Sequence, residues 1–171
     1  NASSQRINLT RGVASLTTNT VSAWVLINET PPAGINSIYG ESKSGNSNPR
    51  FALQVFTNGR ARFVAIGDDG VTSASINSGY VNDNKWHHLV GVRESLSSHK
   101  LYVDGKIVGT DATTINSGTF DIFLAGSWEQ GGSYNTFNGT IDELAVFNRS
   151  LSSQEVWTLY QRGIARIKTQ V

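Results

Sequence analysis

The chain contains neither cysteine nor methionine. Without cysteine there are no disulfides, no thiolate metal sites and no cysteine nucleophile, and the redox compartment stays open. Without methionine the chain does not begin at its own start codon, and it is expected to be a processed product or a piece of something longer. No apolar run approaches the ~18 residues of a membrane-spanning helix, and no charged-then-apolar leader opens the chain. Membrane insertion is therefore not expected. Charge of one sign is also missing: the formal net charge is +1, and no Lys/Arg run could grip nucleic acid or an anionic membrane. At 171 residues the length suits one domain with a full core.

What the chain does have is short runs of β-branched and aromatic residues between Gly, Asn, Ser and Asp clusters. They are "VSAWVLI" (21–27), "RFALQVF" (50–56), "ARFVAIG" (61–67), "KWHHLVGVRE" (85–94), "KLYVDGKIVGT" (100–110), "FDIFLAG" (120–126) and "IDELAVFN" (141–148). This rhythm predicts an all-β, two-sheet antiparallel sandwich. Asn58-Gly59 and Asp104-Gly105 supply the positive-φ residues of two-residue hairpins. The polar stretch 67–83 reads as loop with one short strand at 71–76. Near the end, "LSSQEVWTLYQRG" places Ser152 as N-cap, Glu155 as its capping-box partner and Leu151 with Val156 as a hydrophobic staple. One short helix over about 152–162 is predicted, with Gly163 as its stop. The domain then runs over 1–163, and 164–171 is a tail serving as closing strand or linker.

The adjacent histidines in "KWHHLV" look at first like a metal or acid–base site. Side chains alternate along a strand, so His87 and His88 point to opposite faces and cannot share an ion or a reaction. Trp86, His88, Val90 and Val92 are expected on a core face, with His88 hydrogen-bonded and structural, and His87 facing the other way. His99 begins the next strand with no evident carboxylate companion.

"NKWHHLVGVRES", "KLYVDGKIVG", "IFLAGS" and "FNGTIDELAVFNRSLSSQEVWTLYQRG" follow one another in an order and spacing that resembles laminin G-like domains of the concanavalin A-like lectin/glucanase superfamily, the branch that includes pentraxins. The resemblance covers roughly residues 20 to 163 and implies a jelly roll with one concave and one convex sheet. The start departs from the family pattern: "SSQRINLTRGVASL" lacks the usual F-D-G-x-D-D-Y-V strand, although Ile7, Leu9, Val13 and Leu16 could form an edge strand.

The superfamily hosts enzymes and binding modules alike. Hydrolysis of a glycoside needs two carboxyl groups about 5 to 9.5 Å apart across one bond. The E-x-D-x-x-E strand of the superfamily's glucanases is missing, as is the lyase pattern of Arg, Gln-x-His and Tyr; Asp142 and Glu143, as strand neighbours, are expected to face opposite ways. No enzyme is expected. The loop "WEQGGSYNTF" (128–137) offers Trp128, Tyr134 and Phe137 beside Glu129, Gln130 and Asn135 as a glycan platform, the alternative being that Trp128 and Phe137 cap the core. Arg60 and Arg62 could serve an anionic site but read more simply as solvated edge charges.

Pentraxin loops continue E-Q-D where this chain has Glu129-Gln130-Gly131, so their paired-calcium site is not expected. The resemblance does imply one structural Ca2+ held by Asp142 and backbone carbonyls. The expected function is a non-catalytic extracellular binding or adhesion module for a glycan or protein ligand, within a larger secreted or surface protein. The alternative is a structural subunit of a surface layer or fibre that self-assembles through its terminal segments. Five N-x-S/T sequons, at Asn1, Asn8, Asn28, Asn138 and Asn148, add little, because chance accounts for most of them in a chain this rich in Asn, Ser and Thr.

Overall fold

The computed structural model describes residues 6–27, 35–44, 50–116, 118–127, 129–130 and 133–168. In chain order the elements are β1 (Ile7–Asn8), β2 (Asn19–Leu26), β3 (Asn36–Ser42), β4 (Arg50–Val55), β5 (Arg60–Ile66), β6 (Ser73–Tyr80), β7 (Trp86–Ser95), β8 (Ser98–Val103), β9 (Lys106–Asp111), β10 (Ile122–Ala125), β11 (Glu129–Gln130), β12 (Ser133–Tyr134), β13 (Thr140–Phe147) and α1 (Ser153–Lys168). A six-stranded antiparallel sheet runs β1-β10-β3-β4-β5-β6 and a five-stranded one runs β13-β2-β7-β8-β9, with β11-β12 as a separate hairpin.

The two sheets face each other across a core that follows from strict alternation. Phe51, Leu53 and Val55 of β4 and Ala61, Phe63 and Ala65 of β5 pack against Val21, Ala23 and Val25 of β2, Leu89 of β7 and Leu101 of β8. Tyr39, Phe51 and Phe63 meet edge to face, at 6.5 and 5.2 Å between centroids. Gly91 sits opposite Phe63, where a Cβ would lie 2.3 Å from the ring, so a side chain there would push the sheets apart. Asp104-Gly105 closes β8–β9 as the predicted two-residue turn, with positive φ at both residues, whereas β4–β5 closes through the longer loop Thr57-Asn58-Gly59 between Phe56 and Arg60, with positive φ at Gly59 alone.

The helix covers the outer face of the five-stranded sheet. Val90, Val92 and Tyr102 on that face form a second cluster with Leu151 and Val156, joined by Phe147 and Leu159. Strand β7 is consequently buried on both faces, which is why "HLVGV" shows no polar alternation. The expected core face of β7 is corrected: Leu89, Gly91 and Arg93 enter the sandwich, whereas His88, Val90 and Val92 lie beneath the helix. His88 is buried as expected, bonded through Nε2 to Ser22 Oγ at 2.8 Å and set against Trp24 and Tyr160. Burial pushes its pKa down to about 4, so it is neutral at physiological pH.

The capping box forms as predicted. Ser152 N–H donates to Glu155 Oε2 at 2.9 Å, and Glu155 N–H returns to Ser152 Oγ at 3.3 Å. Gly163 does not end the helix, which continues to Lys168. A Cβ at Gly163 would lie 2.1 Å from the Trp24 indole Nε1, and Trp24 stacks on Tyr160 at 5.7 Å. Glycine there serves close approach rather than termination. The tail reading changes with it: residues 164–168 are helical, not a closing strand, and Arg166 ties them to Asp142 and Glu143 of β13.

The expected first strand is reduced to Ile7–Asn8, paired with β10. Beyond it, Val13 and Ala14 enter the sandwich and the segment is held by polar bonds. Glu41 of β3, fully buried, accepts Val13 N–H at 2.8 Å, Ala14 N–H at 3.0 Å and the Tyr39 hydroxyl at 2.8 Å. Arg93 of β7 donates to Ala14 O at 2.9 Å and Leu16 O at 3.3 Å. Each sheet thus supplies one buried charge to the same segment of backbone.

Near the start of β7, His87 is clamped between Asp104, at 2.8 Å from Nδ1, and Asp83, at 2.8 Å from Nε2. The hydrogen bond to Asp104 leads in raising its pKa, while the bond to His87 leads in holding Asp83 down to about 2.

Two outcomes follow from this packing. Alanine usually stabilises a helix by about 1 kcal/mol over glycine. Gly163→Ala is instead expected to cost about 1–3 kcal/mol by overpacking Trp24, and an unchanged or raised urea midpoint would refute the contact. A raised histidine pKa contributes stability that is complete below the unfolded value of about 6.5 and disappears as pH rises through the folded value. A depressed aspartate pKa contributes above about 3.9 and fades as pH falls toward the folded value. His87→Gln should therefore lower the urea midpoint most between about pH 4 and 6.5 and least near about pH 9, and a pH-independent deficit would contradict the clamp.

Candidate functional site

Of the residues that the sequence offers as a glycan loop, Trp128 lies outside the described residues. Glu129 and Gln130 form β11 and pair with Tyr134 and Ser133 of β12, a short hairpin lying against β3. Asn135 follows the hairpin and is partly buried. Phe137 packs against the main core and its N–H donates to Gly126 O at 2.9 Å. Of the two readings for Phe137, core capping is therefore the one observed.

Asp142 sits on β13 with its carboxylate engaged twice. Oδ1 accepts the Glu143 N–H at 2.8 Å and Oδ2 pairs with Arg166 at 3.2 Å. The expectation that Asp142 and Glu143 face opposite ways is corrected. A bulge between Asp142 and Ala145, with φ of 50° at Glu143, breaks the alternation, and Glu143 Oε1 meets the same guanidinium at 2.6 Å. The surroundings suit an arginine rather than a hard cation: Arg166 already pairs with both carboxylates, and among the described residues no group of three His, Asp or Glu side chains is arranged to hold a metal ion. A calcium ion does not fit at Asp142 with Arg166 in place.

The arrangement with binding chemistry lies elsewhere, on the outer face of the six-stranded sheet, opposite to the helix. Because Phe51, Leu53 and Val55 point inward, Arg50, Ala52, Gln54 and Phe56 point outward. On β5, Arg60, Arg62, Val64 and Ile66 do the same. Ala52, Val64 and Ile66 form a small buried floor of their own. Arg62 is not the solvated edge charge that the sequence suggests. Its guanidinium lies 4.6 Å from the Phe56 ring centroid, its Nε donates to Ser75 Oγ at 3.3 Å, and it is half-buried beside Arg50. Burial, then the neighbouring Arg50, lower its pKa to about 10; burial lowers that of Arg50 as well. Arg62 remains charged at neutral pH, at a cost that an anion would relieve.

Polar groups surround these arginines. Gln54 is fully buried next to Arg62; its Nε2 donates to Ser37 Oγ at 3.0 Å, while its Oε1 has no hydrogen-bond partner. Asn77 Nδ2 reaches Ser75 Oγ at 3.4 Å. Strands β4, β5 and β6 together contain three arginines and no acidic residue. The sequence signal for this face was the alternation itself, charged or polar residues at 50, 54, 60 and 62 between apolar ones at 51, 53, 61 and 63. Alternation gives the direction of a side chain but not its burial.

The fold has counterparts among solved structures. The carbohydrate-binding module CBM40 of the Ruminococcus gnavus IT-sialidase matches with a TM-score of 0.72 at 17% identity, over 92% of this chain and 99% of that one. The same module bound to α2,3-sialyllactose gives 0.73 at 17% identity, over 93% and 100%. The NanB sialidase of Streptococcus pneumoniae gives 0.70 at 20% identity, over 91% of this chain and 26% of that one. The receptor-binding domain of botulinum neurotoxin C/D mosaic serotype gives 0.65 at 18% identity, over 86% and 37%. At such identities the likeness is one of fold. No curated protein sequence matches the chain. Residues 1–157 match the model of the Laminin_G_3 family. This chain belongs to that family, of the concanavalin A-like lectin/glucanases superfamily.

Proposed function

We propose that the protein is a non-catalytic glycan-binding module of a secreted or surface protein, and that it binds an acidic sugar on the outer face of its six-stranded sheet. The observation that carries this reading is the half-buried Arg62, held on Phe56 and Ser75 beside a second arginine. A guanidinium oriented this way meets a carboxylate with parallel N–H donors, and partial burial strengthens the bond. Asn77, exposed on β6, supplies an amide of the kind that reads sugar hydroxyls, while the buried Ala52, Val64 and Ile66 support the strands beneath.

The solved module that carries sialyllactose shares this fold, which favours a sialylated or otherwise carboxylate-bearing glycan over a neutral one. Absence of acidic side chains from β4, β5 and β6 favours binding over hydrolysis, since glycosidic cleavage needs paired carboxyl groups at the sugar. The β11–β12 hairpin against β3 is a candidate rim of the same surface, and Trp128, which precedes it in the sequence, is to be tested by substitution.

Calorimetric titration with sialyllactose and with lactose tests the reading. The acidic sugar should bind and lactose should not. Arg62→Ala should weaken binding by about 10- to 100-fold, the value of a charge-assisted hydrogen-bonded contact, with the urea midpoint not reduced. Equal affinity for both sugars, or full affinity in Arg62→Ala, would refute the site.

A further inference from the structure

Arg60 stands two residues before Arg62 on β5 and on the same outward face. Its guanidinium carbon lies 4.3 Å from the centroid of the Tyr80 ring, and its Nη2 donates to the Tyr80 hydroxyl at 3.0 Å. The Arg60 backbone N–H is held by Asn58 Oδ1 at 3.2 Å. Tyr80 is a large exposed ring, 62% accessible at the end of β6. The pairing Arg60↔Tyr80 follows a bulge in the β5–β6 ladder: Arg62 pairs with Asn77, so β6 spends one extra residue before it reaches Tyr80. That bulge sets the tyrosine beside the first arginine of the strand.

The result repeats the chemistry of the Arg62–Phe56 pair one step along the same strand. Each guanidinium is laid on an aromatic ring, which fixes its plane and leaves N–H groups at its edge for an acceptor. Beyond Arg62 the outward Ala52, Gln54 and Val64 are fully buried, and between Arg60 and Arg62 the face extends about 7 Å at ~3.3 Å per residue. That spacing sets the two arginines apart as separate contacts, and the three strands that form the face offer cations only.

We propose that the binding face continues along β5 into a second anionic subsite at Arg60–Tyr80, so that the ligand is an oligosaccharide bearing two negative groups rather than a single terminal acidic sugar. This rests on the proposed role of Arg62. The first anion takes Arg62; the second, a carboxylate or a sulfate ester on an adjacent sugar, takes Arg60. Tyr80 is a positioning residue that holds the Arg60 guanidinium in plane.

The test uses the intact chain and three probes: sialyllactose with one carboxylate, disialyllactose with two, and a sulfated sialyllactose with one carboxylate and one sulfate. Wild-type protein should bind at least one doubly charged probe roughly tenfold tighter than sialyllactose, as one added charge-assisted contact implies. Which of the two gains more identifies the second group. Arg60→Ala and Tyr80→Ala should remove that gain and leave sialyllactose affinity unchanged. Tyr80→Phe, which keeps the ring, should retain most of it. Lys106→Ala, an exposed charge on β9 in the other sheet, should leave the ratio alone.

If no doubly charged probe gains, or if Arg60→Ala preserves the gain while Arg62→Ala weakens every probe, the second subsite is wrong and the first stands. A loss of the ratio in Lys106→Ala would assign it to general charge attraction and overturn the subsite. If Arg62→Ala leaves all three affinities intact, the first site is wrong and the second falls with it.

Discussion

A sheet has two faces, and what covers each of them governs the rest of this protein. The five-stranded sheet is covered on both: the opposing sheet takes Leu89 and Leu101, and the helix takes Val90, Val92 and Tyr102. Its central strand can therefore be apolar throughout, and burial of about 1.5–3 kcal/mol per large side chain accrues on both sides. Among the described residues, no helix covers the six-stranded sheet. Its inner face carries the core, and its outer face is built from arginine, glutamine, serine and asparagine around a small apolar floor. Division of labour between structure and binding follows from where the one helix lands.

That landing is specified by several weak interactions that agree. The Ser152–Glu155 box fixes the first turn, Leu151 and Val156 set the entry angle, and Gly163 lets the helix reach Trp24. Arg166 then ties the last turn to the bulge of β13 through Asp142 and Glu143. Exposed ion pairs of this kind contribute little each. Their effect here is directional, because a helix docked at one end by a cap and in the middle by a ring stack has few other orientations left.

Much of this was legible in the chain. Strand positions at 21–27, 50–56, 61–67 and 141–148, both turn positions and the capping box all follow from local chemistry, since turn geometry and capping depend on residues a few positions apart. Strand β3 was missed because "NSIYGES" has only Ile38 and Tyr39 as apolar markers and a bulge between Ser37 and Tyr39 that breaks the period. The core face of β7 was misassigned because both faces are apolar, and periodicity cannot rank them. Gly163 was misread because its reason, the Trp24 indole, lies 139 positions away in the chain. The arginines of the binding face were visible as letters, but half-burial of Arg62 depends on Phe56, Ser75 and Arg50, which only the folded register brings together.

The fold treats its buried arginines in two ways, and the contrast is informative. Arg93 lies between the sheets with its pKa lowered to about 10 by burial, opposed by the nearby Glu41, and its Nη1 donates to the carbonyls of Ala14 and Leu16. Its charge is answered inside the molecule, and the answer fixes residues 13–16 against both sheets. An ion buried with such partners adds little net stability but penalises every arrangement that would leave it unpaired. Arg62 has a similar shift to about 10, yet a second arginine, not a carboxylate, is the charge that adds to it. Desolvating the Arg62 charge costs free energy, and β4, β5 and β6 contain no carboxylate to offset it. In a sheet that could have carried threonine or serine at those positions, such a cost is explicable where the compensating negative charge arrives with a ligand.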